Sequence, residues 1–374
     1  MPLIDDEGNL FGIVNVIDAL AVLLLLAVLV AGVAFVGVLG SDGESETRYA
    51  TIDLGGQPDY VADRVAEGDT VRADGSSHNL TVTDVYVTPS MTSDGGNQSQ
   101  VLVRAEINGQ AADLEDREEP VFEYAGKRLR VGSELAIQTD EYTATGRLTN
   151  LEPDGSTLSL DETPVLLEST ISDRTADEIA EGDSVTLGPY TTATITNVKL
   201  YPVGGDQYRA LVGTELNTHQ QGSMPTYGGQ PVTVGSQISL SPGGYDLSGK
   251  VVRRGTDQES GESTTVDAEI ELENIQPAVA DEFSSGMTET VRGETLVTIQ
   301  SVDTEAADVV LESESGEIYL REHPKNKDVT LSVELQTRRT DTGVRFHGDS
   351  LRTGDRVVLD FGTTTVSGTV TQIE

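Results

Sequence analysis

The sequence predicts a mainly β protein: one N-terminal transmembrane α-helix, then three tandem small β-barrel or sandwich-like repeats, each with a short helix. Three observations carry this expectation. From Ala19 to Gly40 no side chain is charged or carries an amide. Beyond Ser41 β-branched and polar residues alternate with period two, interrupted by Asp-Gly and Gly-Gly turns. Three sets of landmarks then recur in the same order along the chain.

The first element is a short acidic tail, residues 1–18, which contains no Lys or Arg; the first basic residue is Arg48. The apolar run of 19–40 follows, and at about 1.5 Å per residue it would reach roughly 33 Å, the depth of a bilayer core. A cleaved signal peptide needs a basic start, a shorter apolar stretch and a small-residue cleavage site, so an uncleaved anchor contacting the lipid bilayer is expected. Asn15 and Asp18, one helical turn apart, belong at its cytoplasmic edge on this reading. The positive-inside rule has almost nothing to count in the tail. A single anchor ahead of a long polar, β-patterned region still has the layout of a signal anchor, which places the bulk of the chain outside the cell membrane. The sequons at Asn79 and Asn97 suit that location but are no more than chance would supply.

The repeats come next. PDYVADRVAEGDTV from Pro58, SDRTADEIAEGDSV from Ser172 and QPAVADEFSSGMTE from Gln276 align Ala62-Asp63 with Ala176-Asp177 and Ala280-Asp281. The same alignment superimposes Gly68, Gly182 and Gly286. Downstream, the turn glycines Gly132, Gly235 and Gly354 and the later Gly146, Gly249 and Gly368 fall in phase, with Glu106, Glu215 and Glu334 between the two groups. These landmarks divide the region into 41–163, 164–264 and 265–374, three homologous units of roughly 105–115 residues.

Each unit has the same local grammar. A strand opens it (49–54, 164–171, 266–275), and one or two helical turns follow. In the second unit the pattern Thr175-x-x-Glu178 reads as a capping box. The glycine of the first landmark then stands where a left-handed C′ residue closes a helix, and the chain leaves as alternating strands such as 80–85 and 194–198. Glu106, Glu215 and Glu334 are expected at outward positions on these strands, since an active site is seldom triplicated. With no Trp and aromatics at 5%, the cores should be aliphatic.

Composition narrows the functional classes. The net charge of −39 argues against a phosphate-binding surface, and no nucleic-acid partner is expected. Only five Lys accompany nineteen Arg, and the carboxylates are dispersed. This is the composition of a halophile, whose salt screens repulsion to about 3 Å at molar concentration. The absence of Cys removes disulfides and thiolate chemistry. His78, His219, His323 and His347 have no metal-binding spacing and are expected in surface loops. Gly348-Asp349-Ser350-Leu351 spells a serine-esterase motif but lacks a downstream Asp-x-x-His. No phosphate-binding glycine motif is present. The sequence therefore predicts no catalytic residue, no cofactor, no metal site and no enzyme. The polar, Gly-rich loops 89–100, 218–230 and 253–263 are the candidate binding insertions, with Met224 and Tyr227 either forming a small contact site or pinning their loop.

The opening LIDDEGNLFGIVNVIDALAVLLLL resembles the amino-terminal signature of single-pass membrane proteins in domain-of-unknown-function family 4330. The run Ile4-Asp5-x-x-Gly8-x-Leu10-Phe11-Gly12 is followed by Asn15-x-Ile17-Asp18 and then the apolar segment. Asp59-Tyr60-Val61-Ala62-Asp63-x-Val65-x-x-Gly68-Asp69-x-Val71 is similar to that family's first extracytoplasmic strand, helix and turn. The resemblance covers about the first 160 residues, in a haloarchaeal-like version with three tandem repeats, and implies membrane anchorage without an established activity. The expected function is a membrane-anchored scaffold or assembly module of the cell envelope, acting as a homo-oligomer or with an envelope protein partner. The alternative is an oligomeric tube or adaptor for envelope lipid or export transport, similar in layout to mammalian-cell-entry proteins.

Overall fold

The computed structural model of the chain describes residues 9–10, 14–15, 44–73, 78–91, 98–112, 121–312 and 318–374. The expected anchor from Ala19 to Gly40, together with Asp18 and Asn97, lies outside the described residues. Among the described residues no helix is long and apolar enough to cross a membrane. Asn15 is not helical: β1 (Asn9–Leu10) and β2 (Val14–Asn15) pair antiparallel, with Asn15 opposite Asn9.

The rest is three eight-stranded sheets, one per unit. The first unit contains β3 (Glu44–Pro58), β4 (Thr70–Ala73), β5 (Asn79–Pro89), β6 (Gln98–Ala112), β7 (Val121–Tyr124), β8 (Lys127–Arg128), β9 (Glu134–Gln138) and β10 (Thr143–Glu152). The second contains β11 (Leu160–Ser172), β12 (Ser184–Leu187), β13 (Tyr190–Pro202), β14 (Gln207–Gln221), β15 (Met224–Tyr227), β16 (Gln230–Pro231), β17 (Gln237–Leu240) and β18 (Leu247–Arg254). The third contains β19 (Glu262–Ile275), β20 (Thr288–Val291), β21 (Glu294–Glu312), β22 (Ile318–Thr340), β23 (Gly343–Phe346), β24 (Asp349–Ser350), β25 (Arg356–Asp360) and β26 (Thr365–Ile373).

Strand order is the same in all three. β4-β5-β6-β3-β10-β9 corresponds to β12-β13-β14-β11-β18-β17 and to β20-β21-β22-β19-β26-β25, and a small hairpin extends the third strand of each series. In the first unit β4 also pairs with β9, so six strands close into a barrel. The matching edges of the other two units carry no ladder, so their barrels stay open along one seam. The register places Thr81, Thr194 and Thr298 opposite Glu106, Glu215 and Glu334. All three glutamates are half-buried strand residues. Tyr49, for example, donates to Glu106 at 3.4 Å.

The glycine landmarks have two distinct causes. Gly68, Gly182 and Gly286 have φ of 87°, 92° and 89°, a backbone that a Cβ opposes, and each amide donates at 2.8 Å to the bulged strand that follows. Gly146, Gly249 and Gly368 lie on β10, β18 and β26 where these pair closely with β3, β11 and β19. A Cβ on Gly368 would stand 2.5 Å from Ile270 Cγ2, and one on Gly146 would stand 2.6 Å from Ile52 Cγ2.

The short helices are α1 (Asp59–Ala62), α2 (Asp173–Glu178) and α3 (Pro277–Ala280). In α2 the cap falls three residues earlier than the expected capping box. Ser172 accepts from the Thr175 N–H at 3.3 Å, which makes Thr175 an interior residue, while Glu178 pairs with Arg174 at 3.1 Å. Ser172 already has extended geometry after β11, so the helix begins as soon as the strand releases the chain. The cores inside the sheets are aliphatic as expected, with side chains such as Ile52, Leu167 and Leu331 wholly excluded from solvent. Each such residue contributes about 1.5–3 kcal/mol. Each core also holds an aromatic residue before its small-hairpin turn, Tyr124, Tyr227 and Phe346, of which Tyr227 is fully buried with its hydroxyl 3.2 Å from Thr192.

Candidate functional site

The chemistry-bearing side chains gather at the two junctions between units. At each, two features of a unit meet the preceding one: the turn of its small hairpin, and the turn that joins β12 to β13 in the second unit or β20 to β21 in the third. The small-hairpin turns are Ala125-Gly126, Gly228-Gly229 and His347-Gly348. Their first residues have φ of 52°, 58° and 49°, so both non-glycine residues there hold a left-handed backbone, the geometry that closes two-residue hairpins.

At the first junction the Met91 N–H donates to Gly228 O at 3.0 Å, and the Gln230 amide donates to Met91 O at 3.0 Å. Gly228 and Gly229 lie so close to this face that a Cβ on either would clash: 2.5 Å from Met91 Cγ and 2.8 Å from Gln100 Oε1 respectively. Leu187 and Tyr190 of the second unit pack against the first unit's core, and Met91 packs against the second's. Tyr86, Leu102 and Leu158 form a small apolar cluster of their own, and the Tyr86 hydroxyl donates to Asn217 O. Burial drives that hydroxyl far above the usual phenol range.

The second junction repeats the arrangement with charges. Arg209 pairs with Asp349 at 2.5 Å and with Glu168 at 3.7 Å, and donates to His347 O at 3.1 Å. Lys199 pairs with Glu294 at 2.6 Å. Arg292, at φ 52°, donates to Ala176 O at 2.6 Å and also to Ile179 O. The His347 ring stacks between Tyr201 and Phe346, with centroids at 5.4 and 3.7 Å. Its Nε2 lies 2.8 Å from Glu289 Oε1, near enough to pair but off the hydrogen-bonding direction. Glu289 is wholly buried and occupies the register position of Val71 and Val185. Its other oxygen accepts from the Asp360 N–H at 2.9 Å, so a carboxylate bridges the seam that β4 and β9 close with a ladder in the first unit.

Several expectations are corrected here. His219 and His347 are not surface-loop residues. His219 is buried at the first junction, where desolvation pulls its pKa below 6.5, and His347 forms the docked turn of the second. His78 is exposed and His323 is half-buried on β22. Segment 218–230 is not a free binding loop, because β14 runs on through it into the β15–β16 hairpin that docks on the first unit. Tyr227 pins that hairpin from inside, burial pushing its hydroxyl up to about 12, while Met224 is exposed. Segment 253–263 supplies the second junction, where Glu259 accepts from Tyr201 of the second unit at 2.9 Å and pairs with Arg338 of the third at 3.6 Å, and Ser260 O accepts from Arg338 at 2.9 Å. Within the esterase-like tetrapeptide, Gly348 is the docked turn, Asp349 is the ion partner of Arg209, and Leu351 is core. Alternation along single strands could not reveal these placements. The one available signal was that Glu289 stands where the aligned units have valine.

The junction cavities are small, about 40 Å³ at the first and about 80 Å³ at the second. A drug-sized ligand needs roughly 300–1,000 Å³. An open groove of about 610 Å³ on the first unit is lined by polar side chains including Asp63, Arg72 and Gln138. Among the described residues no three His, Asp or Glu side chains are grouped so as to hold a metal ion.

These features define a tandem β-barrel repeat protein whose polar machinery joins one unit to the next. The chain belongs to the family described as Domain of unknown function (DUF4330), whose model matches residues 1–152 and 252–374. The two matched regions hold the first and third units. No curated protein and no solved structure matches the chain.

Proposed function

We propose that the chain is a membrane-anchored scaffold of the cell envelope, adapted to high salt, in which residues 19–40 hold three coupled β units at the outer surface of the bilayer. The observation that carries this reading is the use of the candidate binding loops. Segments 218–230 and 253–263, together with the described ends of 89–100, are spent on joining units, through Met91 with Gly228 and Gln230 and through Arg338 with Glu259 and Ser260. A chain that invests its buried polar contacts in fixing its units to one another is suited to holding shape and spacing. The charge-free run 19–40 supplies the tether, and dispersed carboxylates keep such a surface hydrated when salt screens their repulsion.

Fractionation of cells expressing the full chain tests this reading. The protein should stay with membranes through alkaline carbonate washing and be released by detergent. Because the chain contains no Cys, the exposed Glu141→Cys variant should react with a membrane-impermeant maleimide on intact cells. Recovery in the aqueous fraction, or labelling only after lysis, would refute the proposal.

A further inference from the structure

The two junctions obey one rule, and its register can be carried past the ends of the chain. The receiving position lies six residues before the landmark glutamate: Gln100 in the first unit, Arg209 in the second and Asp328 in the third. The docking position lies three residues after the aromatic residue that precedes the hairpin turn: Gln230 after Tyr227, Asp349 after Phe346 and Lys127 after Tyr124. At the second junction the two positions form an ion pair, Arg209 with Asp349 at 2.5 Å. At the first junction both are neutral, and the docked turn lies on Gln100.

The outer faces continue this pattern. In the first unit Ala125-Gly126 has the same left-handed turn as its docked counterparts, followed by exposed Lys127 and Arg128. In the third unit the receiving face is acidic. Asp328 is fixed by the Asn274 N–H at 2.7 Å and the Asp308 N–H at 3.3 Å, while Asp303 stands where the second unit has Lys199. Glu305 stands where the other units have Thr88 and Tyr201, which are 0% and 9% exposed because the next unit covers them; Glu305 is exposed.

The arms of the third unit's long hairpin also carry exposed apolar residues, with Val310, Ile318 and Leu320 at 67%, 73% and 66% exposure. The same hairpin in the first unit delivers Met91 onto the second unit, where the Ser239 N–H donates to its sulfur at 3.5 Å. In the second unit it brings Gly204 up to Val358, at the register position of Ser239.

We infer that the third unit of one copy receives the first unit of a second copy, by the geometry that joins units within the chain and with Asp328 facing Lys127. The contact is heterologous, so it generates a ring or an open chain. It goes beyond the scaffold reading and does not depend on the anchor.

The Cys-free background provides the test. Full-length protein carrying both Lys127→Cys and Asp328→Cys, in detergent where needed, should give a ladder of dimers, trimers and higher species on a non-reducing gel after mild oxidation. Each single-cysteine variant should give none. Because Asp328 also holds backbone amides, Lys127→Cys with the exposed Glu305→Cys is run in parallel. Sedimentation of the unsubstituted chain should show mass rising with concentration, and Glu305→Lys should weaken association at least tenfold. Monomers at every concentration, dimers formed equally well by one single-cysteine variant, or association indifferent to Glu305→Lys would overturn the inference. The first outcome would make the acidic face a solubilising cap.

Discussion

Arg104 is the sharpest test of how the first unit is held together, because it is charged and only 2% exposed. Its guanidinium donates to Gly155 O at 2.8 Å, Thr51 Oγ1 at 2.8 Å, Glu152 Oε2 at 2.6 Å and Asp154 O at 3.3 Å. It thus ties the segment leaving β10 to the face of β6. Replacing it by Met keeps most of the stem and removes every donor. Thr51, itself buried, would lose a partner at about 1–2 kcal/mol. The carbonyls of exposed Asp154 and Gly155 can turn to water, which limits each loss to about 0.5–1 kcal/mol. Glu152 is 49% exposed, so solvent holds its ion pair to about 1 kcal/mol or less. The expected loss for Arg104→Met is about 2–5 kcal/mol, read by urea unfolding followed by circular dichroism.

The pH dependence separates the ion pair from the remainder. The Arg104 hydrogen bond holds the Glu152 carboxyl below its ordinary 4.5. The pair's contribution is therefore complete above that value and disappears as the pH falls through the lowered one. The gap between wild type and variant should narrow by the ion-pair share below pH 4.5 and leave the Thr51 and loop shares intact. A loss under about 1 kcal/mol, or a gap that widens in acid, would refute the reasoning.

Three further outcomes are expected. Glu289→Val installs the residue that the other two units use, yet it should destabilise the third unit by about 1–3 kcal/mol because the Asp360 N–H loses its acceptor; urea unfolding measures this. Gly368→Ala forces a Cβ to 2.5 Å from Ile270 Cγ2 and 3.0 Å from Glu271 O, and should cost about 1–3 kcal/mol by the same assay. The hydroxyls of Tyr245 and Tyr142 are held well above 10.0 by burial, reinforced by Asp183 at 2.6 Å and Asp69 at 3.2 Å. Their neutral forms favour the fold, so stability should be full below pH 10 and fall as the pH rises past it. Tyr245→Phe should shallow that decline, and tyrosinate absorbance should appear late in the titration.

Much of the fold was legible because its determinants are local. The glycines at 68, 182 and 286 report a left-handed backbone that a Cβ opposes, and those at 146, 249 and 368 report a close strand pairing with no room for a side chain at 146 and 368 and little at 249. The junctions were not legible, because alternation tells which face of a strand is apolar and nothing about what covers its end. Tyr227, read as a loop residue able to make a contact, fills a core. His219 lies between Thr218 and Gln220 in sequence yet is buried at the first junction, and His347 is largely covered at the second, where it stacks on Tyr201. Glu289 sits in an alternating strand at a position that is inward in all three units, and the carboxylate is tolerated there because Asp360 donates to it.

The units therefore diverge where they face one another, and the divergence restricts which faces can join. Arg209 accepts Asp349, whereas the first unit would offer it Lys127, and like charges across an interface are strongly disfavoured. Asp328 would likewise repel the third unit's own Asp349, so two third units cannot join by this geometry. Gln100, neutral and held by Asp53 at 2.5 Å, discriminates least by charge. Its selectivity is steric, because Met91 and the Pro89 carbonyl leave no room for a Cβ on Gly228, and neither Ala125 nor His347 could replace Gly228 there. Arg209 and Asp328 thus each disfavour the like-charged turn, while the face of Met91 and Gln100 rejects two turns by volume. The second unit's turn is already docked within the chain, so the inferred joint between copies pairs the two faces whose charges match, third to first.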